Sequence, residues 1–168
     1  MGFFNLRQFM ENHLNEAFMR MAINLAELNV KQGVGGPFGA VIVKNGLFVA
    51  GSANKVIVAN DPTAHAEVSA IRLACSELGT FDLSGCDIYT SCEPCPMCLG
   101  AIYWARIDKI YYANTKSDAA AIGFDDNYIY EELKAEMEHR NLRFIQLLRD
   151  EAQHTFKLWE SSASKTNY

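Results

Sequence analysis

Residues 91–100, "SCEPCPMCLG", lie between a β-rich run and a predicted helix, and they place three cysteines within seven positions. The two prolines of the stretch suit the first turn of that helix, so the stretch predicts a strand that passes into a helix. Cys92 and Cys95 form one C-x-x-C pair, and Cys95 and Cys98 form another. This spacing is compatible with a disulfide, a redox motif or a metal site, and the rest of the chain must decide among them.

The composition favours one globular domain in a reducing compartment. The chain has 168 residues, of which 49% are apolar, and this suits one domain with a hydrophobic core. Its five cysteines are an odd number, and we find neither a secretory signal nor an apolar run long enough for a membrane helix. We therefore expect a cytoplasmic protein with reduced thiols and no membrane association. The formal charge of −5 makes nucleic acid an unlikely partner.

Helices are predicted to alternate with strands along the chain. Apolar residues recur at helical spacing over residues 14–28 and predict an amphipathic helix; they are Leu14, Ala17, Phe18, Met21, Leu25 and Leu28. A β-hairpin follows, because Asn45-Gly46 joins two β-rich runs. The later predicted elements are helices at residues 64–78, 94–103, 128–137 and after an Asp150/Gln153 capping box, and strands at residues 86–91, 108–113 and 142–148. This order predicts a three-layer α/β/α fold with a mixed five-stranded sheet.

Two of the predicted helix starts carry side chains that can bind a metal. Cys95 and Cys98 are three residues apart on one helix, so they share a face, and the positive helix end favours thiolates. His65 lies at another helix start, where side chains lean toward the N-terminus. If the two starts converge, one nitrogen and two sulfurs make a ligand set that suits Zn²⁺ and leaves a fourth position for water.

Glu67 gives this predicted zinc site a catalytic interpretation. It follows His65 by two residues, so both side chains can reach a point beyond the helix end. A carboxylate beside a zinc-bound water can take its proton and pass it to a leaving group. A purely structural zinc site has four protein ligands and needs no such carboxylate. We therefore expect one catalytic zinc per chain, with Glu67 as the proton shuttle.

The two motifs also carry a family resemblance. H-x-E at residues 65–67 and P-C-x-x-C at residues 94–98 match the signature of the zinc deaminases. Beyond the motifs, four longer stretches and the final "KTNY" resemble the bacterial guanine deaminases, which have the cytidine deaminase-like fold. These stretches are "GGPFGAVIVK" (35–44), "NDPTAHAEV" (60–68), "YTSCEPCPMCLGAIYWAR" (89–106) and "GFDDNYIYEEL" (123–133). The resemblance implies one zinc deaminase domain over residues 13–168, preceded by an extension of residues 1–12.

The same resemblance implies hydrolysis of guanine to xanthine and ammonia, and it names a substrate pocket. The pocket consists of Phe38, Asn54, the backbone at Ala66, Asp126 and Tyr168. Guanine chemistry agrees with these residue types. A carboxylate suits the ring N1–H and the 2-amino group, an amide donor suits O6 and N7, and a phenyl ring can stack on the purine.

The C-terminal segment is expected to cross between two subunits. In the family that the sequence resembles, this segment is swapped within a homodimer, so that Tyr168 closes the pocket of the partner. A closed pocket excludes water from the reacting atoms. Neither spacing nor composition predicts this swap, which the resemblance alone implies.

Several alternatives remain open at the level of sequence. The zinc motif is shared by tRNA adenosine deaminases, and a similar pocket could accept guanosine or another amino-substituted ring. A zinc-stabilised binding domain without catalysis is a third class, and a redox C-x-x-C a fourth. We expect Cys92 to be a packed free thiol and Asp125 to cap the helix that follows it.

Overall fold

The structure is a computed structural model that describes residues 6–167, with side chains described from Glu11 onward. Its sheet has four strands in the order β2-β1-β3-β4. β1 pairs antiparallel with both β2 and β3, whereas β3 and β4 are parallel, so the sheet is mixed as predicted. The strands are β1 (Gly39–Lys44), β2 (Leu47–Ala53), β3 (Cys86–Cys92) and β4 (Lys109–Asn114).

Seven α-helices and one short 3₁₀ helix occur in the described chain. Two of them, α2 and α5, fall where the sequence predicts only turns or loops. The helices are α1 (Leu6–Lys31), α2 (Val56–Ala59), α3 (Ala66–Leu78), α4 (Pro96–Trp104), α5 (Lys116–Ala121), α6 (Asn127–Lys134) and α7 (Arg149–Ser161), with the 3₁₀ helix at Met137–His139. By internal contacts the chain divides into two compact units, residues 1–126 and residues 127–168.

The first unit has helices on both faces of its sheet. On one face, α1 packs through Phe18 and Ala22 against alternate residues of the central strands, including Val41 and Tyr89. On the other face, α3 and α4 cover the strand residues that alternate with these and point the opposite way. This second core comprises Ala40, Ile42, Ala50, Ala66, Ala70, Ala74, Leu83, Cys86, Ile88, Ile102 and Ala105. Successive strand residues point to opposite faces, so a single strand can supply both cores. The three-layer architecture is thus confirmed for this unit.

Local turn chemistry fixes several element ends. Asn45 and Gly46 adopt φ values of 52° and 73°, the left-handed pair that a two-residue hairpin requires, and β1 pairs with β2 around them. Gly79 has a φ of 64° and ends α3, as its position after Leu78 predicts. These predictions succeed because the controlling residues are adjacent in sequence.

The packed face of α1 agrees with the prediction only in part. Phe18 is buried and Leu25 packs against the core, as predicted, whereas Leu14, Met21 and Leu28 are 43%, 38% and 52% exposed. The buried face also contains Ala22 and Ala26. The helix approaches β1 closely there, since a Cβ at Gly39 would overlap the Ala22 carbonyl oxygen.

The predicted fifth strand does not form, so the five-strand prediction is wrong for the described chain. Residues 142–148 lie outside any strand and are exposed throughout. A strand needs the N–H and C=O groups of a neighbour, and the described part of residues 127–168 contains only helices and irregular backbone.

The predicted capping box before the last helix is also wrong. The N-cap of α7 is Leu148, which makes no side-chain cap hydrogen bond. Asp150 lies in the first helical turn instead, where a negative charge favours the helix dipole. Among the described residues, no helix is long and apolar enough to cross a membrane.

Candidate active site

The three candidate metal ligands lie at two helix N-termini, as predicted. His65 is the N-cap residue of α3, with φ −62° and ψ 159°, and Cys95 is the N-cap residue of α4, with φ −66° and ψ 168°. Neither residue makes a side-chain cap hydrogen bond. Cys98 follows within the first turn of α4 and is buried. The extended backbone at both N-caps turns the two side chains off the helix ends, where they meet.

The ligand atoms fit a tetrahedral metal. Nδ1 of His65 is 3.6 Å from Sγ of Cys95 and 3.5 Å from Sγ of Cys98. All three ligand atoms lie within 4.8 Å of one another. Zinc bonds of about 2.1 Å to nitrogen and about 2.3 Å to sulfur at tetrahedral angles give ligand separations of about 3.5–3.8 Å. The His65 separations fall in this range, so this donor set fits Zn²⁺.

Hydrogen bonds within the cluster polarise its thiols. The bond between the two cysteines lowers the pKa of Cys95, to which the His65 contact also contributes, and the same bond raises the pKa of Cys98. Hydrogen bonding to Cys95 likewise raises the pKa of His65. A metal binds the thiolate form of both cysteines and the neutral imidazole of His65, so metal affinity increases with pH.

Glu67 lies against this cluster from the first turn of α3. The side chain is 6% exposed, and its Oε2 accepts a hydrogen bond from Cys98 Sγ at 3.5 Å. Its Oε1 accepts one from Thr90 Oγ1 at 3.2 Å. Burial raises the pKa of Glu67. The arrangement is therefore a buried carboxyl in contact with a thiol of the candidate metal cluster.

Two of the predicted pocket residues are joined through their backbones. Asn54 N donates to the Phe38 carbonyl oxygen at 2.9 Å. The side-chain Oδ1 of Asn54 accepts from Val56 N at 3.2 Å, which leaves the Nδ2 end as a donor for a ligand. The Phe38 ring meets Phe124 edge to face, with centroids 4.9 Å apart and an interplanar angle of 89°. Phe124 therefore occupies part of the surface of the Phe38 ring, and a planar ligand would have to stack on the part that Phe124 leaves uncovered.

Of the three remaining residues of the predicted pocket, the structure describes Ala66 and Asp126 but not Tyr168. Ala66 is fully buried at the start of α3, between His65 and Glu67. Burial raises the pKa of Asp126, and the negative charge of Cys95 raises it further, so Asp126 is within electrostatic range of the cluster. Tyr168 lies outside the described residues.

Three contributors are missing from the sequence prediction. Thr90 contacts Glu67, Phe124 contacts Phe38, and Asn29 donates through Nδ2 to the carbonyl oxygens of Gly36 and Asn54 at 2.9 and 3.0 Å. The sequence contains one indication of the role of Asn29, because this polar residue interrupts the apolar spacing near the end of α1. The other two pairs join residues that are far apart in sequence.

Cys92 stays outside the metal cluster. Its Sγ donates to the Thr115 carbonyl oxygen at 3.6 Å, and burial raises its pKa to about 11. Among the described residues, the group that could hold a metal consists of His65, Cys95 and Cys98 and does not include Cys92. The five cysteines are all free, so the candidate disulfide is excluded.

Residues 12–114 match the family model for the cytidine and deoxycytidylate deaminase zinc-binding region. A guanine deaminase from Bacillus subtilis is 52% identical over 157 residues, which cover 94% of this chain and 99% of that protein. A crystal structure of guanine deaminase from Bacillus subtilis superposes with a TM-score of 0.88 at 52% identity, and it covers 91% of this chain and 98% of its own. A tRNA-specific adenosine deaminase from Agrobacterium fabrum is 45% identical over 86 residues, which cover 51% of this chain and 57% of that protein.

Proposed function

This chain belongs to the cytidine and deoxycytidylate deaminase family and deaminates guanine hydrolytically, and we propose that His65, Cys95, Cys98 and Glu67 form its reaction centre. The overall change replaces the C2–NH₂ bond of guanine by a C2–O bond. Water supplies the oxygen, one proton that stays on ring N3 and one proton that leaves with the amino group, so the products are xanthine and ammonia.

The share of the chain that resembles each group of relatives favours guanine over a tRNA base as the substrate. Likeness to the guanine deaminase from Bacillus subtilis continues over 94% of this chain, whereas likeness to the tRNA-specific enzyme covers 51%. The zinc motif is common to both groups, so it does not discriminate between them. The net charge of −5 also disfavours a phosphate-rich partner.

His65, Cys95 and Cys98 would hold one zinc ion per chain. The fit of their separations to a tetrahedral metal supports this stoichiometry, and the cluster is the one group of this kind among the described residues. When bound, zinc supplies Lewis-acid activation of a water molecule. The described geometry leaves Glu67 as the adjacent base, because its Oε2 contacts Cys98.

Glu67 moves the protons of the reaction. Its carboxylate accepts a proton from water and donates it to ring N3 as C2 becomes tetrahedral. It then takes the proton of the new C2 hydroxyl and delivers it to the amino group as the C2–N bond breaks and the C2=O bond forms. Burial raises the pKa of Glu67, which makes its carboxylate a stronger base and supports this role.

Four further groups orient the purine. The Nδ2 of Asn54 donates to O6 or N7, and Asp126 accepts from N1–H and the 2-amino group. Phe38 stacks on the ring, and the backbone at Ala66 lies between the two motif residues. Tyr168 closes the pocket from the partner subunit in this proposal.

A homodimer with exchanged C-terminal segments would complete the molecule. None of the described residues 127–167 is buried, although this unit carries Leu142, Phe144, Ile145 and Trp159. A unit this small with no buried residue cannot be stable alone. Nor does the described sheet supply a neighbour for the outer edge of β4. Residues 142–148 of a partner match such an edge in length and β-propensity.

We also retain the predicted domain boundary and compartment as proposals. The family model begins at residue 12, which supports a domain that starts near this point, whereas α1 already begins at Leu6 and runs without a break across residue 13. Five free cysteines support a reducing compartment such as the cytoplasm.

Conversion of guanine to xanthine, followed by ultraviolet absorbance, tests the function. We expect turnover by zinc-loaded protein and release of one ammonia per xanthine. A parallel screen contains guanosine, adenine, cytosine and a tRNA substrate. Zinc-loaded protein that leaves guanine intact and deaminates adenosine in tRNA would overturn the proposal.

A further inference from the structure

Thr90 makes a hydrogen bond that the reaction centre described above does not use. It lies on the central strand β3 and is 1% exposed. Its Oγ1 is 3.2 Å from Oε1 of Glu67 and 2.9 Å from the carbonyl oxygen of Cys92. A buried hydroxyl thus joins the strand below the site to the carboxyl of α3.

The two oxygens of Glu67 have different surroundings because of this bond. Oε2 contacts Cys98 of the metal-binding cluster, whereas Oε1 contacts Thr90 on the far side. The terminal torsion of a glutamate is soft and has no sharp staggered preference. Burial alone therefore does not set the plane of the carboxyl, and a fixed donor on one oxygen does.

Thr90 is rigid enough to act as that donor. Its neighbours in the sheet are Ala40 of β1 and Tyr112 of β4, so strands flank it on both sides. A β-branched side chain has few χ1 states, so the position of Oγ1 is restrained. The hydroxyl has one proton and Cys92 O can only accept, so Thr90 donates either to Cys92 O or to an ionised Glu67 Oε1. When the carboxyl carries a proton in transit, it donates to Thr90 Oγ1 while the Thr90 proton goes to Cys92 O, so the contact persists in both states.

We propose that Thr90 is a positioning residue that holds Glu67 with Oε2 directed at the reacting water. This inference rests on the proposed role of Glu67 as proton shuttle. Loss of the hydroxyl would leave Glu67 in the site with a free torsion, so proton transfer would slow while substrate binding stayed intact.

Thr90→Val and Thr90→Ser separate the hydroxyl from the shape of the side chain. Valine keeps the branched shape without the hydroxyl, and serine keeps the hydroxyl without the methyl group. We expect Thr90→Val to lower kcat by about 10- to 100-fold with KM within about 2-fold, because misdirected proton transfer slows the chemical step. Thr90→Ser should stay within about 3-fold of wild type, and zinc content should be equal in all three proteins.

Ser52→Ala is the matched control, since Ser52 is 3% exposed and its Oγ donates to Ala53 O without touching a carboxyl. Its kcat should match wild type. If Thr90→Val does not fold, Thr90→Ala and Thr90→Ser give the same comparison, because they also differ by the hydroxyl. A crystal structure of the hydroxyl-free variant should show Glu67 in more than one orientation.

Equal kcat in the hydroxyl-free variant and wild type would overturn the proposal, and so would an equal loss in the serine variant. A loss confined to KM or to zinc content would overturn it as well. Wild type is assayed in the same series, so an inactive wild type refutes the proposed function, whereas an active wild type with unaffected variants refutes only the role of Thr90.

Discussion

Glu67 and His65 are two residues apart, yet the tasks that we propose for them differ because the first turn of α3 directs the two side chains differently. His65 precedes the helix in extended backbone and meets the two cysteines. Glu67 lies inside the turn, buried between Cys98 and Thr90. At this scale, function depends on a separation of two positions that a continuous helix would place on opposite sides.

Glu67→Gln tests the proton shuttle. We expect kcat for guanine to fall by about 10²–10⁴-fold, because an amide cannot accept the proton of the reacting water. Zinc content, measured by atomic absorption, should not change, since the three ligands remain. Glu77→Gln on the exposed part of α3 is the control and should leave kcat unaltered. Undiminished deamination by Glu67→Gln would refute the shuttle.

Although Glu67→Gln should lower activity, we expect it to raise the stability of the metal-free protein at neutral pH. Burial raises the folded-state pKa of Glu67 above its ordinary value of 4.5, so folding favours the protonated form. Stability then declines as the pH rises from about 4.5 through the folded-state pKa, because the buried carboxyl ionises. Metal-free Glu67→Gln should therefore unfold at higher urea concentration than metal-free wild type at pH 7, with the gap shrinking toward pH 4. A gap that widens on acidification contradicts this linkage.

At the scale of elements, two helices carry candidate metal ligands at their N-cap positions, where helices commonly carry capping side chains. The N-cap positions of α3 and α4 hold His65 and Cys95 without side-chain capping bonds, whereas Thr115 and Asp118 form a complete capping box on α5. A missing cap costs about 1 kcal/mol of helix stability. Both catalytic helices forgo that stabilisation, and a bound metal can restore it by linking their ends.

The C-terminal part of α1 is hydrogen-bonded to two segments beside the proposed pocket, one at Gly36 and one at Asn54. Asn29 is buried, and its amide group donates to the carbonyl oxygens of Gly36 and Asn54. Asn29→Ala leaves both acceptors without this donor, so we expect a loss of about 1–3 kcal/mol in unfolding free energy. Urea denaturation measures it, with Asn24→Ala on the exposed face of α1 as the control. Equal stability of the two variants would show that the tether has no energetic role.

At the scale of the whole molecule, the two compact units differ in what they bury. The first unit holds two cores and the complete metal-binding cluster. The described part of the second unit has no buried residue, and its apolar side chains include Ile145 at 81% and Leu147 at 80% exposure. Apolar surface of this extent marks an interaction site, which the proposed segment exchange would supply.

Ile145→Lys tests that exchange in the full-length chain. We expect wild type to have the mass of a dimer by light scattering, and Ile145→Lys to shift it toward the monomer, because a buried lysine in an interface is costly. Gln146→Lys adds the same charge at the adjacent polar position, and serves as the control. A wild type that is monomeric at micromolar concentration would refute the exchange.

The sequence by itself determined the hairpin at Asn45-Gly46, the end of α3 at Gly79 and the identity of the candidate ligands, because each depends on residues close in the chain. Tertiary structure alone decided that the starts of α3 and α4 converge, that Thr90 meets Glu67, and which apolar residues of α1 face the sheet. It also decided that residues 142–148 form no strand in the described chain, because a strand exists only where a neighbour pairs with it and local sequence does not specify the neighbour.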